Sequence, residues 1–159
     1  MDDKQAIVRL LAPKAVLKAM TPEAERAVPA HMIEAGYIGI RHFPFRVGRE
    51  SRSVTVEGEF HSGERPRFGS RKPNNDLYLL DADEPLEISR EHFQIEATVD
   101  GYLLVDRCSA CGTRVGSSRI GGGDAGGSLL LKDGDTIAIG TETTPYVFTF
   151  ISGFASAGC

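Results

Sequence analysis

The chain is predicted to be an all-β domain of the antiparallel sandwich or barrel type from Tyr37 onward. Three observations carry this: short apolar runs with a period of two, Gly, Pro, Asn and Asp punctuating them, and at least one tight hairpin signal. The hairpin is the clearest element. Phe93, Ile95, Ala97 and Val99 alternate with their neighbours, Asp100-Gly101 supplies a tight turn, and Tyr102 to Val105 returns. A second hairpin is predicted from Leu129–Leu131 through Lys132-Asp133-Gly134-Asp135 to Thr136–Ile139, and Tyr146 to Ile151 reads as the last strand.

Residues 1 to 36 read differently, as a helical N-terminal extension. Ile7, Leu10 and Leu11 share one helical face, and Val16, Leu17 and Met20 share another after a break at Pro13. Thr21-Pro22 then reads as a new helix start, with Glu23 and Glu25 in its first turn, and Gly36 closes the region. Such an extension either packs on the domain that follows or serves as a partner-docking arm. Two further stretches do not suit strands. Residues 51 to 75 read as a long loop insertion with one hairpin around Val54–Val56 and Glu59–His61. The glycine-rich run from 121 to 127 reads as a strand connection, because it lacks the Lys and Ser or Thr of a nucleotide loop. Residues 152 to 159 are left as a flexible tail.

Composition limits the function classes. At 159 residues, with 41% hydrophobic and 25% charged side chains, one domain with its own core is expected. Nowhere do eighteen apolar residues run together, and Asp2 and Asp3 stand where an export signal carries base, so no membrane partner and a cytoplasmic location are expected. The net charge of −4 is unevenly spread: residues 37 to 72 carry eight bases against four acids, residues 73 to 159 five bases against thirteen acids. This does not suit a nucleic-acid backbone, but a local basic cluster suits one anionic group.

The residues for such a site are recognisable. The segments are Phe43 to Arg49 with its Gly48-Arg49, then Ile88-Ser89-Arg90-Glu91-His92-Phe93, then Asp106 to Val115, followed by Leu131-Lys132-Asp133-Gly134-Asp135. A phosphorylated hydroxyl carries nearly two negative charges and three acceptor oxygens. Arg49 offers a planar fork of donors, Ser89 a hydroxyl with a backbone amide nearby, and Arg90 a second cation. In that order, across residues 37 to 151, the segments resemble the forkhead-associated (FHA) domain. The resemblance implies an FHA-type antiparallel β-sandwich of about eleven strands with its binding loops at one end. It also implies a phosphothreonine-peptide-binding signalling module: Arg49, Ser89, Arg90, Cys111, Gly112 and Thr113 would contact the peptide, while Gly48 and His92 support the site. Where the family writes Ser-Thr-Asn-Gly-Thr this chain has Ser109-Ala110-Cys111-Gly112-Thr113, so a thiol, weak as donor and acceptor, replaces an amide.

The expected partner is a phosphothreonine-containing protein, a kinase or a kinase substrate. No enzymatic activity, cofactor or metal is expected, although three competing readings stand beside this one. Ser89 and His92 as nucleophile and base lack a third orienting group or an oxyanion motif. Cys108 and Cys111 form a C-x-x-C that invites a loop disulfide or a metal, yet it has neither a zinc-ligand set nor the helix start of a redox motif. A phosphate-independent scaffold, using the helical arm or the 51–75 insertion, is the alternative function. Thr21, if phosphorylated, offers a route to self-recognition.

Overall fold

The computed structural model describes residues 2–50, 54–56, 59–61 and 74–153. Among them, eleven strands form two packed sheets. One sheet has six strands: β1 (Ala15–Ala19), β2 (Tyr37–Ile40), β9 (Thr113–Val115), β10 (Ser118–Ile120), β12 (Thr136–Ile139) and β13 (Val147–Ile151), in the order β10-β9-β12-β13-β1-β2. The other has five: β3 (Phe45–Arg49), β6 (Leu77–Leu79), β7 (Phe93–Thr98), β8 (Gly101–Asp106) and β11 (Gly127–Leu131), in the order β11-β8-β7-β3-β6. A separate two-stranded pair, β4 (Val54–Val56) and β5 (Glu59–His61), forms at the place where the insertion was expected to hold a hairpin. Residues 51–53, 57–58 and 62–73 of the insertion and residues 154–159 of the expected tail lie outside the described residues.

The period of two becomes the core directly. Phe93 and Ile95 on β7 and Phe148 and Phe150 on β13 are buried, while Gln94, Glu96 and Thr149 between them are partly exposed. Leu17, Ile38, Ile40, Ile137 and Ile139 from the first sheet join Phe45, Val47, Leu77, Leu79 and Leu104 from the second in one buried cluster. Each fully buried side chain of this kind contributes about 1.5–3 kcal/mol relative to exposure. Among the described residues all strand pairs are antiparallel except one, for β3 and β6 run parallel with Val47 opposite Leu77 and Arg49 opposite Leu79. The intervening insertion makes this possible, because parallel neighbours need a long connection.

Residues 1 to 36 are not a helical extension as a whole. Helix α1 (Asp3–Leu11) forms, capped by Asp2 accepting from the Gln5 amide at 2.8 Å, but none of its residues is buried. Residues 15–19, read as helical, form β1 in the interior of the six-stranded sheet, paired on one side with β13 and on the other with β2. In the slot between β13 and β2, Ala15 and Leu17, two apart, bury one face completely. The six-stranded sheet therefore draws on residues that precede Tyr37. Helix α2 (Pro22–Ala27) starts as expected, with Thr21 accepting from the Ala24 amide at 3.0 Å. Gly36 closes no helix; with Ala35 it makes a tight turn in which both residues have positive φ, leading into β2.

Two hairpin expectations also shift. In the first, Val99-Asp100 is the turn and Gly101 opens β8, so Val99 is fully exposed instead of facing the core. In the second, β11 and β12 do not pair. β11 joins β8 in one sheet, β12 joins β9 and β13 in the other, and the turn at 132–135 carries the chain between layers. Asp135 caps the Lys132 amide at 2.8 Å, and the Gly134 amide donates to Phe150 O at 2.7 Å, which ties the turn to β13. No helix among the described residues is long and apolar enough to cross a membrane.

Removing residues 2–11 is expected to move the thermal midpoint by no more than about 4 °C, because α1 buries nothing, whereas removing residues 2–20 deletes an interior strand and is expected to abolish cooperative unfolding. Thermal unfolding followed by circular dichroism checks both.

Candidate functional site

Three of the segments singled out in the sequence meet at one end of the sandwich, where β3 ends, β7 begins, β8 ends and β12 ends; the fourth, Leu131 to Asp135, lies at the other end, since Leu131 pairs with Tyr102 near the start of β8. Arg49 closes β3, with its backbone amide donating to Ser89 O at 2.9 Å and its side-chain Nε donating to Ile88 O at the same distance. The guanidinium plane is thus held by its inner edge. Among the described residues its two terminal nitrogens take no partner.

Ser89 is fixed from two directions. Its hydroxyl oxygen accepts from the Ala110 amide at 3.0 Å, which leaves the hydroxyl proton to donate outward, and its own amide donates inward to His92 Nδ1 at 3.0 Å. Since His92 Nδ1 accepts, the ring proton sits on Nε2, which donates to Gly112 O at 2.8 Å. His92 is wholly buried, and burial holds its pKa below the ordinary imidazole value, against the Gly112 bond and the charge of Asp106, which act the other way. Its role as a brace follows from these contacts. Arg90 is exposed; the two acids beside it are engaged elsewhere, Glu91 with Arg107 at 2.6 Å and Glu87 with the Thr141 hydroxyl at 2.6 Å.

The third loop is built around an acid, Asp106, whose part the sequence motifs do not reveal. Asp106, buried at the end of β8, accepts from the Ser109 amide at 2.8 Å, the Ser109 hydroxyl at 2.6 Å and the Thr113 hydroxyl at 2.8 Å. Thr113, expected to contact peptide, is therefore fully buried beneath the loop with its hydroxyl committed to Asp106. Gly112 is buried too, its amide on Ser109 Oγ at 3.0 Å and its carbonyl shared between His92 and the Gly140 amide. Of this trio Cys111 alone is partly exposed. Its thiol points toward Leu86 O at 3.6 Å, and burial, reinforced by the charge of Glu87, pushes its pKa up. Arg119 donates to the Cys111 carbonyl and, at 3.3 Å, to Gly140 O.

The glycine-rich connection has a packing reason. A Cβ on Gly121, whose φ is +73°, would fall 2.3 Å from the Asp106 carboxyl carbon, so only glycine lets the connection pass over that buried acid. Cys108 and Cys111 are both free thiols. Among the described residues no cluster of His, Cys, Asp and Glu could hold a metal ion, and Cys159 lies outside them. Thr21 is occupied as the α2 cap and as a donor to Pro145 O, which leaves its hydroxyl poorly placed for a kinase.

Asn75 and Asp81 also bond to the Glu87–Arg90 segment and were not anticipated. Asp81 accepts from the Glu87 and Ile88 amides at 2.6 and 2.8 Å, which shapes the approach to Ser89. Asn75, at the edge of the insertion, donates to Arg90 O at 2.7 Å. The signal available in the sequence was an Asn or Asp at a turn, and such residues are too common in loops to single out.

Comparison with known proteins gives a consistent answer. The FHA domain family matches residues 67–140, which includes Ser89, Arg90, His92 and Cys111 but leaves Gly48 and Arg49 outside. Among solved structures, Mycobacterium tuberculosis EmbR in complex with a low-affinity phosphopeptide superposes with a TM-score of 0.50 at 22% identity over 94% of this chain. The chain spans 29% of that EmbR chain. An engineered FHA with a Myc-pTBD peptide superposes with a TM-score of 0.51 at 16% identity, covering 89% of this chain and 93% of its own. At these identities the likeness is one of fold. No curated protein sequence matches the chain.

The buried imidazole has a pH signature. An unfolded chain protonates its imidazole below about pH 6.5, whereas the buried ring resists, so the stability His92 contributes is full above that value and is lost as pH falls below it. The urea midpoint is expected to fall between pH 7.5 and 5.5 while the His92 ring resonances stay in their neutral positions. A ring that titrates at the ordinary imidazole value in folded protein would count against the bridge.

Proposed function

We propose that this chain, whose residues 67–140 match the FHA domain, is a phosphothreonine-peptide-binding module that acts in phospho-dependent protein–protein interaction and has no catalytic activity of its own. The observation that carries the reading is the convergence of Arg49, Ser89 and Arg90 at one end of the sandwich. A guanidinium is held by its inner edge, a hydroxyl is left free to donate, and a second cation lies exposed, all on braced backbone. The terminal nitrogens of Arg49 take two phosphate oxygens as a fork, the Ser89 hydroxyl takes a third contact, and Arg90 adds charge at the rim. The Ser89 amide is turned inward to His92, so the backbone donor of this loop is the Arg90 amide.

The same geometry supports a non-catalytic role. A base for Ser89 needs a nitrogen facing the hydroxyl, and His92 spends Nδ1 on the Ser89 amide and Nε2 on Gly112. The natural partners are a protein kinase or a protein phosphorylated by one, in a signalling pathway, with the substrate threonine in an extended segment. The alternative, a phosphate-independent scaffold that uses the helical arm or the 51–75 insertion, draws on the outward apolar residues of α1, among them Leu10 and Leu11, and on Cys111, whose thiol lies 3.6 Å from Leu86 O.

Titration against a degenerate phosphothreonine peptide library, with phosphoserine and unphosphorylated controls, tests the reading. Wild-type protein is expected to select phosphothreonine, and Arg49→Ala to weaken that binding by about 10- to 150-fold, the equivalent of one charge-assisted bond of about 1.5–3 kcal/mol. Binding indifferent to phosphorylation would favour the scaffold. Cys111→Asn, which restores a full amide at the third loop, is expected to tighten binding to the selected peptide without changing its preference for phosphate.

A further inference from the structure

Asn75 lies outside every motif that marks the site, yet its side chain is 3% exposed and both of its polar ends are used. Nδ2 donates to Arg90 O at 2.7 Å, and Oδ1 accepts from Arg107 Nη1 at 2.6 Å. The residue's own amide donates to the Tyr78 hydroxyl at 3.2 Å. Arg107 in turn bonds Glu91 at 2.6 Å and Asn74 O at 3.1 Å. One amide thus joins three pieces of chain: the segment entering β6, the Ser89–Arg90 loop and the residue just past β8.

The approach is as close as packing permits. A Cβ on Gly48 would fall 2.0 Å from Arg90 O and 2.6 Å from Asn75 Nδ2, so glycine at 48 admits this carbonyl and this amide together. The Arg90 carbonyl is therefore seated on the floor of β3, one residue before Arg49, and Asn75 is the donor that seats it. The Ser89 carbonyl, one peptide earlier, accepts the Arg49 amide. Two consecutive carbonyls of the loop are pinned, by Arg49 from β3 and by Asn75 from the edge of the insertion.

We propose that Asn75 is a positioning residue for phosphate recognition, holding the Arg90 carbonyl so that the Ser89 hydroxyl and the Arg90 amide and side chain converge with Arg49. This rests on the phosphopeptide reading of the site. The chemical requirement is a donor at Nδ2, since an acceptor at that place would face a carbonyl oxygen across a buried contact. Asn75→Asp keeps the shape and the Arg107 contact and removes the donor; Asn75→Ala removes both. If the role were merely to support Arg107, aspartate would serve as well as asparagine. If it is to seat the Arg90 carbonyl, aspartate fails as alanine does.

The experiment pairs peptide titration with amide hydrogen exchange on the 159-residue wild-type chain, Asn75→Asp, Asn75→Ala and Arg49→Ala. The expected result is at least a tenfold loss of phosphothreonine-peptide affinity in both Asn75 variants. Faster exchange is expected at the Arg49 and Ser89 amides, with the β7–β8 ladder as protected as in wild type. Wild-type affinity in Asn75→Asp, or loop amides that keep their protection in it, would overturn the proposal. Should Asn75→Ala not fold, Asn75→Asp decides alone. Wild-type protein that binds no phosphopeptide overturns the reading of the site, and exchange at Arg49 and Ser89 then decides whether Asn75 seats the loop.

Discussion

A single buried imidazole joins the two loops on which the candidate site is built. His92 accepts the Ser89 amide on Nδ1 and donates to the Gly112 carbonyl from Nε2, and no other protonation state can make both bonds. Everything nearer the surface is referred to this bridge. Through Ser89 it fixes the hydroxyl that meets the Ala110 amide; through Gly112 it fixes the loop that Arg119 and the Gly140 amide hold from the far side. A buried polar group of this kind is stabilising because it is fully satisfied, and its conformational specificity comes from the same two bonds.

Beneath the bridge, two acids are used as internal caps and not as charges for a ligand. Asp106 gathers two donors from Ser109 and one from Thr113, and Asp81 gathers the Glu87 and Ile88 amides. Loops leaving the ends of a sandwich have backbone donors that no ladder satisfies, and short carboxylates reach them without lengthening the loop. The basic groups are treated in the opposite way. Arg49 is only partly anchored and Arg90 is exposed, so positive potential at the rim survives in a chain whose second half is acidic.

The position of β1 has consequences for how the domain is bounded. It pairs with β13, so the first strand and the last described strand are neighbours, and the sheet closes around a contact between distant parts of the sequence. Such a strand carries no local signature strong enough to override a short helical pattern. Val16, Leu17 and Met20 satisfy a helical face as well as Ala15, Leu17 and Ala19 satisfy a strand face, and the choice falls to the slot between β13 and β2. The same holds for β11 and β12. Their turn looks like a hairpin turn, but the two strands go to different sheets because β8 offers a partner to one and β9 and β13 to the other.

The sequence by itself determined the fold class, the β7–β8 pairing, the start of α2, the small pair within the insertion and the ordered motifs that hold Arg49, Ser89, Arg90 and His92. Each of these is written in local periodicity, in turn and cap chemistry, or in short ordered motifs that act over a few residues. The tertiary structure alone decided that β1 is an interior strand and that Thr113 is buried on Asp106. It also decided that Gly121 clears a carboxylate and that Asn75 seats the Arg90 carbonyl across fifteen residues of chain. These depend on which distant backbone groups are left without a partner once the sheets have packed, and that is a property of the assembled layers, not of any window of sequence.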